Sequence, residues 1–126
     1  MADGPRPWAI RPMTKADSLP VSELADRLVG QGYYSPTSVQ DMLDRSTQKG
    51  RVCSHVAISN AGAVVGFRFA LPPGRWTHGR GDGLSEEQWP VPKAYCGYFQ
   101  TAYVAERWRG QGIGGAMAQA ALATLA

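Results

Sequence analysis

The chain has 126 residues, 44% hydrophobic and 18% charged, a composition that fits one ordinary folded domain and excludes a disordered or fibrous chain. Its formal net charge of +3 would draw in an acidic cofactor, but the excess is too thin to argue for a nucleic-acid partner. No apolar run approaches the roughly 20 residues that cross a bilayer, and the opening Met1-Ala2-Asp3-Gly4-Pro5-Arg6-Pro7 lacks the apolar segment of a signal peptide. No membrane partner is expected, and the expected location is cytoplasmic.

Residues 1 to 7 read as a flexible tail and residues 8 to 126 as a single domain. A short strand is expected from Trp8 to Arg11. Ser18 or Asp17 can cap a first helix that carries Pro20 in its first turn, with Val21, Leu24, Ala25 and Leu28 at helical spacing until Gly30 and Gly32 stop it. Ser35-Pro36 repeats the cap-then-proline signal. It opens a second helix whose buried stripe is Val39, Met42 and Leu43 and whose end is set at Lys49-Gly50.

Two β runs follow, Arg51 to Ser59 and Ala63 to Leu71, joined as a hairpin by the turn-forming Asn60-Ala61-Gly62. Residues 72 to 94 are rich in glycine and proline and show no periodicity. A loop of that length is usually functional or disordered, and the functional reading is favoured because Trp76 and Trp89 would be poor residues to leave in water. Tyr95 to Val104 reads as a fourth strand and Gly112 to Ala126 as a third, alanine-rich helix. Cys53 and Cys96 lack the close spacing of a zinc or redox motif and are expected to be buried, reduced fillers. His55 and His78 are equally far apart, so no metal site is expected.

The densest chemical signal is Arg109-Gly110-Gln111-Gly112-Ile113-Gly114, placed between the fourth strand and the third helix. The first turn of a helix leaves N–H groups without intrahelical partners and adds the positive end of the helix dipole, which suits phosphate. Glycines there remove the Cβ atoms that would hold a ligand away, and Arg109 adds a forked cation. A Walker-type P-loop fails because no Gly-Lys-Ser or Gly-Lys-Thr follows. A dinucleotide fingerprint is satisfied by Gly110, Gly112 and Gly115. It should, however, follow its strand directly and be answered by an acidic residue roughly 20 positions on, whereas the chain stops at Ala126.

The stretch Tyr103-Val104-Ala105-Glu106-Arg107-Trp108-Arg109-Gly110-Gln111-Gly112-Ile113-Gly114 resembles motif A of the GNAT acyltransferase superfamily, [Arg/Gln]-x-x-Gly-x-[Gly/Ala] after a strand ending in an aliphatic residue. Ile10-Arg11-Pro12, with Thr14, Ala16 and Asp17 after it, resembles the family's opening strand and helix. The resemblance implies an α/β (α+β) fold, a mostly antiparallel mixed sheet flanked by helices in the order β-α-α-β-β-long loop-β-α. The family's fold continues past this helix with a fifth strand, a further helix and a closing hairpin that the sequence does not contain.

The resemblance further implies acetyl-CoA as cofactor. The amides of Arg109, Gly110, Gln111, Gly112, Ile113 and Gly114 would hold its pyrophosphate. Ala102, Tyr103 and Val104 would run beside the pantetheine, and an amide near Val104 or Ala105 would polarise the thioester carbonyl. The helical region borders the acceptor site in the family, which nominates Tyr33 and Tyr34, with Gln100 on the fourth strand able to position an amine or water. Family members often carry a glutamate on that strand as base, and Tyr98-Phe99-Gln100-Thr101-Ala102-Tyr103 has no carboxylate. The candidate bases are therefore His78, Asp82, Glu86 and Glu87 in the long loop, with Glu86 and Glu87 foremost. The implied activity is acetyl-CoA-dependent N-acyl transfer by direct attack of an amine, by this chain or by a longer enzyme of which it is the N-terminal portion. The alternative is a non-catalytic acyl-CoA-binding or interaction module, with a second copy or another chain completing the sheet.

Overall fold

A computed structural model describes residues 7–72 and 98–125. The tail expected before Pro7, nearly all of the long loop and the first residues expected in the fourth strand lie outside the described residues.

Strand β1 (Trp8–Pro12) is joined to helix α1 (Ser18–Leu28) by a single 3-10 turn at Lys15–Asp17. Asp17 stands at the N-cap of α1, but its carboxylate turns back instead of capping that helix. It accepts from both Arg11 guanidinium nitrogens at 2.7 Å, from the Thr14 N–H at 2.8 Å and from Thr14 Oγ1 at 3.2 Å. The first strand is thereby tied to the first helix. Burial disfavours the charged carboxylate, yet the Arg11 and Thr14 bonds outweigh it and hold the Asp17 pKa below the ordinary carboxylate value. A group whose pKa is lower folded than unfolded lends stability above its unfolded pKa and withdraws it as the pH falls through the folded one. Asp17→Asn is therefore expected to cost about 1–2 kcal/mol at neutral pH, discounted for the half-exposed Arg11. Acid unfolding followed by circular dichroism should show the variant losing stability less steeply than the wild type between about pH 5 and pH 2. Parallel acid limbs would refute this.

Helix α1 buries Val21, Leu24 and Ala25, and Gly32, with φ +76°, donates its N–H to Asp26 Oδ1 at 2.9 Å as the chain turns away. Helix α2 (Pro36–Ser46) begins as the sequence requires: Ser35 Oγ accepts the Ser38 N–H at 3.1 Å, with Pro36 at the first helical position. Val39, Met42 and Leu43 form its buried stripe.

The helix stops at Ser46, before the expected Lys49-Gly50. Those two residues, with φ of +54° and +75°, form the corner of a miniature hairpin between β2 (Thr47–Gln48) and β3 (Arg51–Val52). The β run expected from Arg51 is consequently split, and β4 covers only His55–Ser59. Between the two pieces, buried Ser46 and Ser54 take over the polar groups of β5 (Val64–Leu71) that β4 does not reach. Ser46 Oγ donates to the Ala70 carbonyl at 2.8 Å, the Ala70 N–H donates to Ser54 Oγ at 3.1 Å, and the two hydroxyls lie 2.7 Å apart.

Strands β1, β4, β5 and β6 (Tyr98–Val104) form one sheet in that order, antiparallel throughout. Two register shifts interrupt it. Val65 is the extra residue between Gly66, opposite Ala57, and Val64, opposite Ile58. Gln100 is the extra residue between Thr101, opposite Phe69, and Phe99, opposite Ala70.

Helices α1 and α2 cover one face through Val21, Ala25, Val39, Met42 and Leu43 against Val56, Phe67, Phe69 and Leu71. Helix α3 (Ile113–Leu125) covers the other, with Ile113 and Met117 against Trp8, Ala57 and Val65. A Cβ on Gly66 would lie 3.2 Å from the Tyr103 carbonyl oxygen and 3.5 Å from Ile113 Cγ2, so glycine there lets the start of α3 approach the sheet. Cys53 is buried beside Ala70 and Ala121, where burial pushes its thiol pKa up. The architecture is the mixed α+β arrangement expected, an antiparallel sheet with helices on both faces.

Candidate cofactor-binding loop

The loop is held at its entry by the sheet. The Ala105 N–H donates to the Val65 carbonyl at 2.8 Å, so the bulge on β5 provides the last rung before the chain leaves the sheet. This corrects the expectation that the Ala105 amide polarises a thioester, because that donor is occupied. Backbone groups alternate sides along an antiparallel strand, so the backbone groups of Val104 and Ala102 face away from β5. In agreement, the Val104 carbonyl accepts Arg109 Nε at 3.0 Å.

After a 3-10 turn at Glu106–Trp108, the Trp108 N–H donates to the Ala105 carbonyl at 2.8 Å and the Arg109 N–H to the Glu106 carbonyl at 3.2 Å. Trp108 packs beneath the loop against the cluster of Ile113 and Met117. Gly110 and Gly112 then have φ of +81° and +86°, a left-handed conformation that costs other residues about 1–2 kcal/mol. Ile113 is buried and pins the first turn of α3, and its side chain is therefore a core residue while its amide remains at the loop.

The first α3 amide with a backbone acceptor is that of Ala116, on the Gly112 carbonyl at 3.0 Å. For the N–H groups of Gly110, Gln111, Gly112, Ile113, Gly114 and Gly115 there is no acceptor among the described residues. Gly114 and Gly115 lie within the helix, neither has a positive φ, and a Cβ built on either meets nothing within 4 Å. Each costs helix stability by about 1 kcal/mol relative to alanine, and neither backbone conformation nor packing requires it. The first turn contains no acidic side chain, and Arg107 and Arg109 are exposed beside it. Amides without partners at a positive helix end suit an anion such as phosphate.

The other nominated residues fall in three places. Tyr33 is 61% exposed at the α1–α2 junction, whereas Tyr34 is turned into the core with its ring centroid 5.0 Å from Phe69. Tyr34 thus packs where a substrate-facing side chain was expected, because the junction places its neighbour on the solvent side. The Tyr103 ring lies 5.9 Å from Phe67 on the face shared with α1 and α2, and Gln100 occupies the bulge of β6. Glu86, Glu87 and His78 lie outside the described residues. The fold also brings Arg27 from the end of α1 to a groove beside Arg107 and Trp108. Its spacing on α1 marks it only as a solvent-facing position.

The sequence matches the Acetyltransferase (GNAT) family over residues 21–126. No curated protein matches the chain. Among solved structures, it is similar to AAC(6')-Iy in complex with the bisubstrate analog CoA-S-monomethyl-acetylneamine, with a TM-score of 0.62 and 17% identity over 92% of this chain and 69% of that one. The aminoglycoside antibiotic 6'-N-acetyltransferase AAC(6')-Ih from Acinetobacter baumannii matches with a TM-score of 0.58 and 17% identity, over 89% of this chain and 67% of that one. A GNAT family acetyltransferase from Brucella melitensis in complex with acetyl-CoA gives a TM-score of 0.55 and 21% identity, over 94% of this chain and 68% of that one. At these identities the likeness is one of fold. With the match over residues 21–126 it places the chain: it belongs to the GNAT acetyltransferase family.

Proposed function

We propose that the chain binds acetyl-CoA and transfers its acetyl group to an amine, either alone or as the cofactor-binding part of a larger assembly. The observation that carries this reading is the set of unpartnered amides from Gly110 to Gly115, flanked by Arg109 and by two helix glycines that the fold itself does not need. The CoA-containing complexes of AAC(6')-Iy and of the Brucella melitensis protein support it.

In this reading the amides of residues 110–114 hold the diphosphate, while Arg109, whose own N–H is taken by the Glu106 carbonyl and whose Nε is anchored on Val104, adds charge at its edge. Acetyl-CoA supplies an activated thioester carbonyl. The outward backbone groups of Ala102 and Val104 align the pantetheine along β6, with Tyr103 flanking them. With Ala105 engaged by Val65, the Val104 amide is the donor left to stabilise a developing oxyanion. Gln100, at the bulge, orients the amine or a water, and Tyr33 faces the acceptor. The amine's proton passes to Glu86, Glu87 or His78. Direct attack leaves the protein little covalent chemistry, so positioning and electrostatics account for the rate.

An open β6 edge, paired on one side only among the described residues, favours a second reading in which another chain docks there and the domain serves only to bind acyl-CoA. Calorimetric titration with acetyl-CoA, followed by thiol release in the presence of a panel of amines, tests both. One-site binding with amine-dependent release is expected. Binding without release would leave the second reading, and no heat with millimolar acetyl-CoA would overturn both.

A further inference from the structure

We infer that α3 is seated on a proton-sensitive pair, His55 and Arg68, so that protonation of His55 at mildly acidic pH loosens this helix from the sheet while α1 and α2 stay in place. Alternate residues of a strand share a face. Ala57 packs in one cluster with Ile113 and Met117, and Cys53 in another with Ala121, so His55 between them lies under the span from Met117 to Ala121. On β5, Gly66 adjoins Ile113 and Ala70 packs beside Ala121, which places Arg68 under the same span. The two residues are directly opposite each other across the β4–β5 pair, where Cβ atoms stand about 4.5–5.5 Å apart.

His55 is 4% exposed, and the Cys53 carbonyl lies 3.1 Å from its Nδ1. A carbonyl only accepts, so Nδ1 carries the proton of the neutral ring and a second proton must go to Nε2. Burial lowers the His55 pKa, and the bond to Cys53 offsets this only in part. Arg68 stays a cation, so a protonated His55 would set two like charges side by side in a buried layer.

No carboxylate among the described residues answers that second charge. Helix α3 contains no acidic or basic side chain, β1 presents Pro12 opposite His55, and β6 presents Ala102 opposite Arg68. Burial pushes the Cys53 thiol up, so it stays neutral, and exposed Arg51 nearby adds more positive charge. The buried carboxylate of Asp17 is committed to Arg11, on the face that α1 and α2 cover. Helix α3 is the element that yields, because it is held through Ile113, Met117 and Ala121, whereas α1 and α2 grip the rings of Phe67 and Phe69. The folded pKa lies below the unfolded one, so the stability His55 allows is present above about pH 6.5 and withdrawn as the pH falls towards the folded value. Since α3 begins at the glycine loop, its release also displaces the loop amides, a consequence that rests on the proposed cofactor reading.

The test is hydrogen exchange, read as protection factors at pH 7.0 and 5.5 on the wild type and on His55→Asn, whose amide can donate to the Cys53 carbonyl but takes no proton. Protection of residues 117–125 is expected to fall about three- to tenfold in the wild type, with α1 and α2 unchanged, and to stay level in the variant. NMR titration of the wild type should give the His55 ring a pKa below the ordinary histidine value, the signal being assigned by its loss in the variant, which keeps His78. An ordinary or raised pKa, equal loss of protection in both proteins, or loss spread evenly over α1, α2 and α3 would overturn the proposal. The first and third of these are read on the wild type alone, should the variant fail to fold. Saturating acetyl-CoA is expected to restore α3 protection at pH 5.5, because it binds the seated helix. Acetyl-CoA that binds without restoring it would overturn the link to the loop. Absence of acetyl-CoA binding at either pH would overturn the cofactor reading, while the exchange data alone decide on the helix.

Discussion

Replacing Gly112 with aspartate is expected to eliminate the thermal stabilisation by acetyl-CoA that the proposed function predicts for the wild-type protein, and to weaken affinity about a hundredfold or more. Two effects add. A carboxylate at this position places a negative charge among amides suited to a diphosphate, replacing attraction with repulsion where hydrogen bonds to charged groups are worth about 1.5–3 kcal/mol each. The backbone there also has φ +86°, so any side chain adds strain of about 1–2 kcal/mol. The two contributions separate experimentally. Strain lowers the melting temperature without ligand by a few degrees, whereas charge acts on the response to ligand. A variant that melts slightly earlier but retains the full shift with millimolar acetyl-CoA would remove the loop from the cofactor site.

The largest effect on stability is expected from Phe67→Ala. Phe67 is fully buried at the centre of the face under α1 and α2, with ring centroids at 5.5 Å from Phe69, 6.3 Å from Tyr34 and 5.9 Å from Tyr103. Truncation removes the apolar transfer energy and leaves a cavity among rings too rigid to collapse into it, a loss of about 3–5 kcal/mol. Small domains have about 5–15 kcal/mol in total, so the variant should unfold at a markedly lower urea midpoint or fail to accumulate folded. An unfolding free energy within about 1 kcal/mol of wild type would show that the aromatic cluster is not the centre of this core.

The helix starts and the glycine loop were legible because they depend on local chemistry. Ser35-Pro36 needs only a hydroxyl and a ring with fixed φ, and the glycines at 110 and 112 permit a left-handed turn without help from any partner. What escaped the sequence depends on partners. Lys49-Gly50 stops a helix and turns a hairpin equally well, and the choice fell to β2 and β3 pairing across it. The bulges at Val65 and Gln100 are mismatches between neighbouring strands and leave no mark in either strand alone. Tyr33 and Tyr34 have the same side chain, so only the packed junction decides which one the core takes. Arg27 is one arginine among several until α1 is laid beside the turn at Glu106–Trp108.

The Ser46–Ser54–Ala70 clasp joins helix α2 to the strand facing the Gln100 bulge. For α2 to slide along β5, its buried hydroxyl bonds must break together, at about 1–3 kcal/mol for every polar group left unmatched. The last residue of α2 is therefore pinned to β5 beside the Gln100 bulge, and shifting either element at that point strips the other of its polar partners.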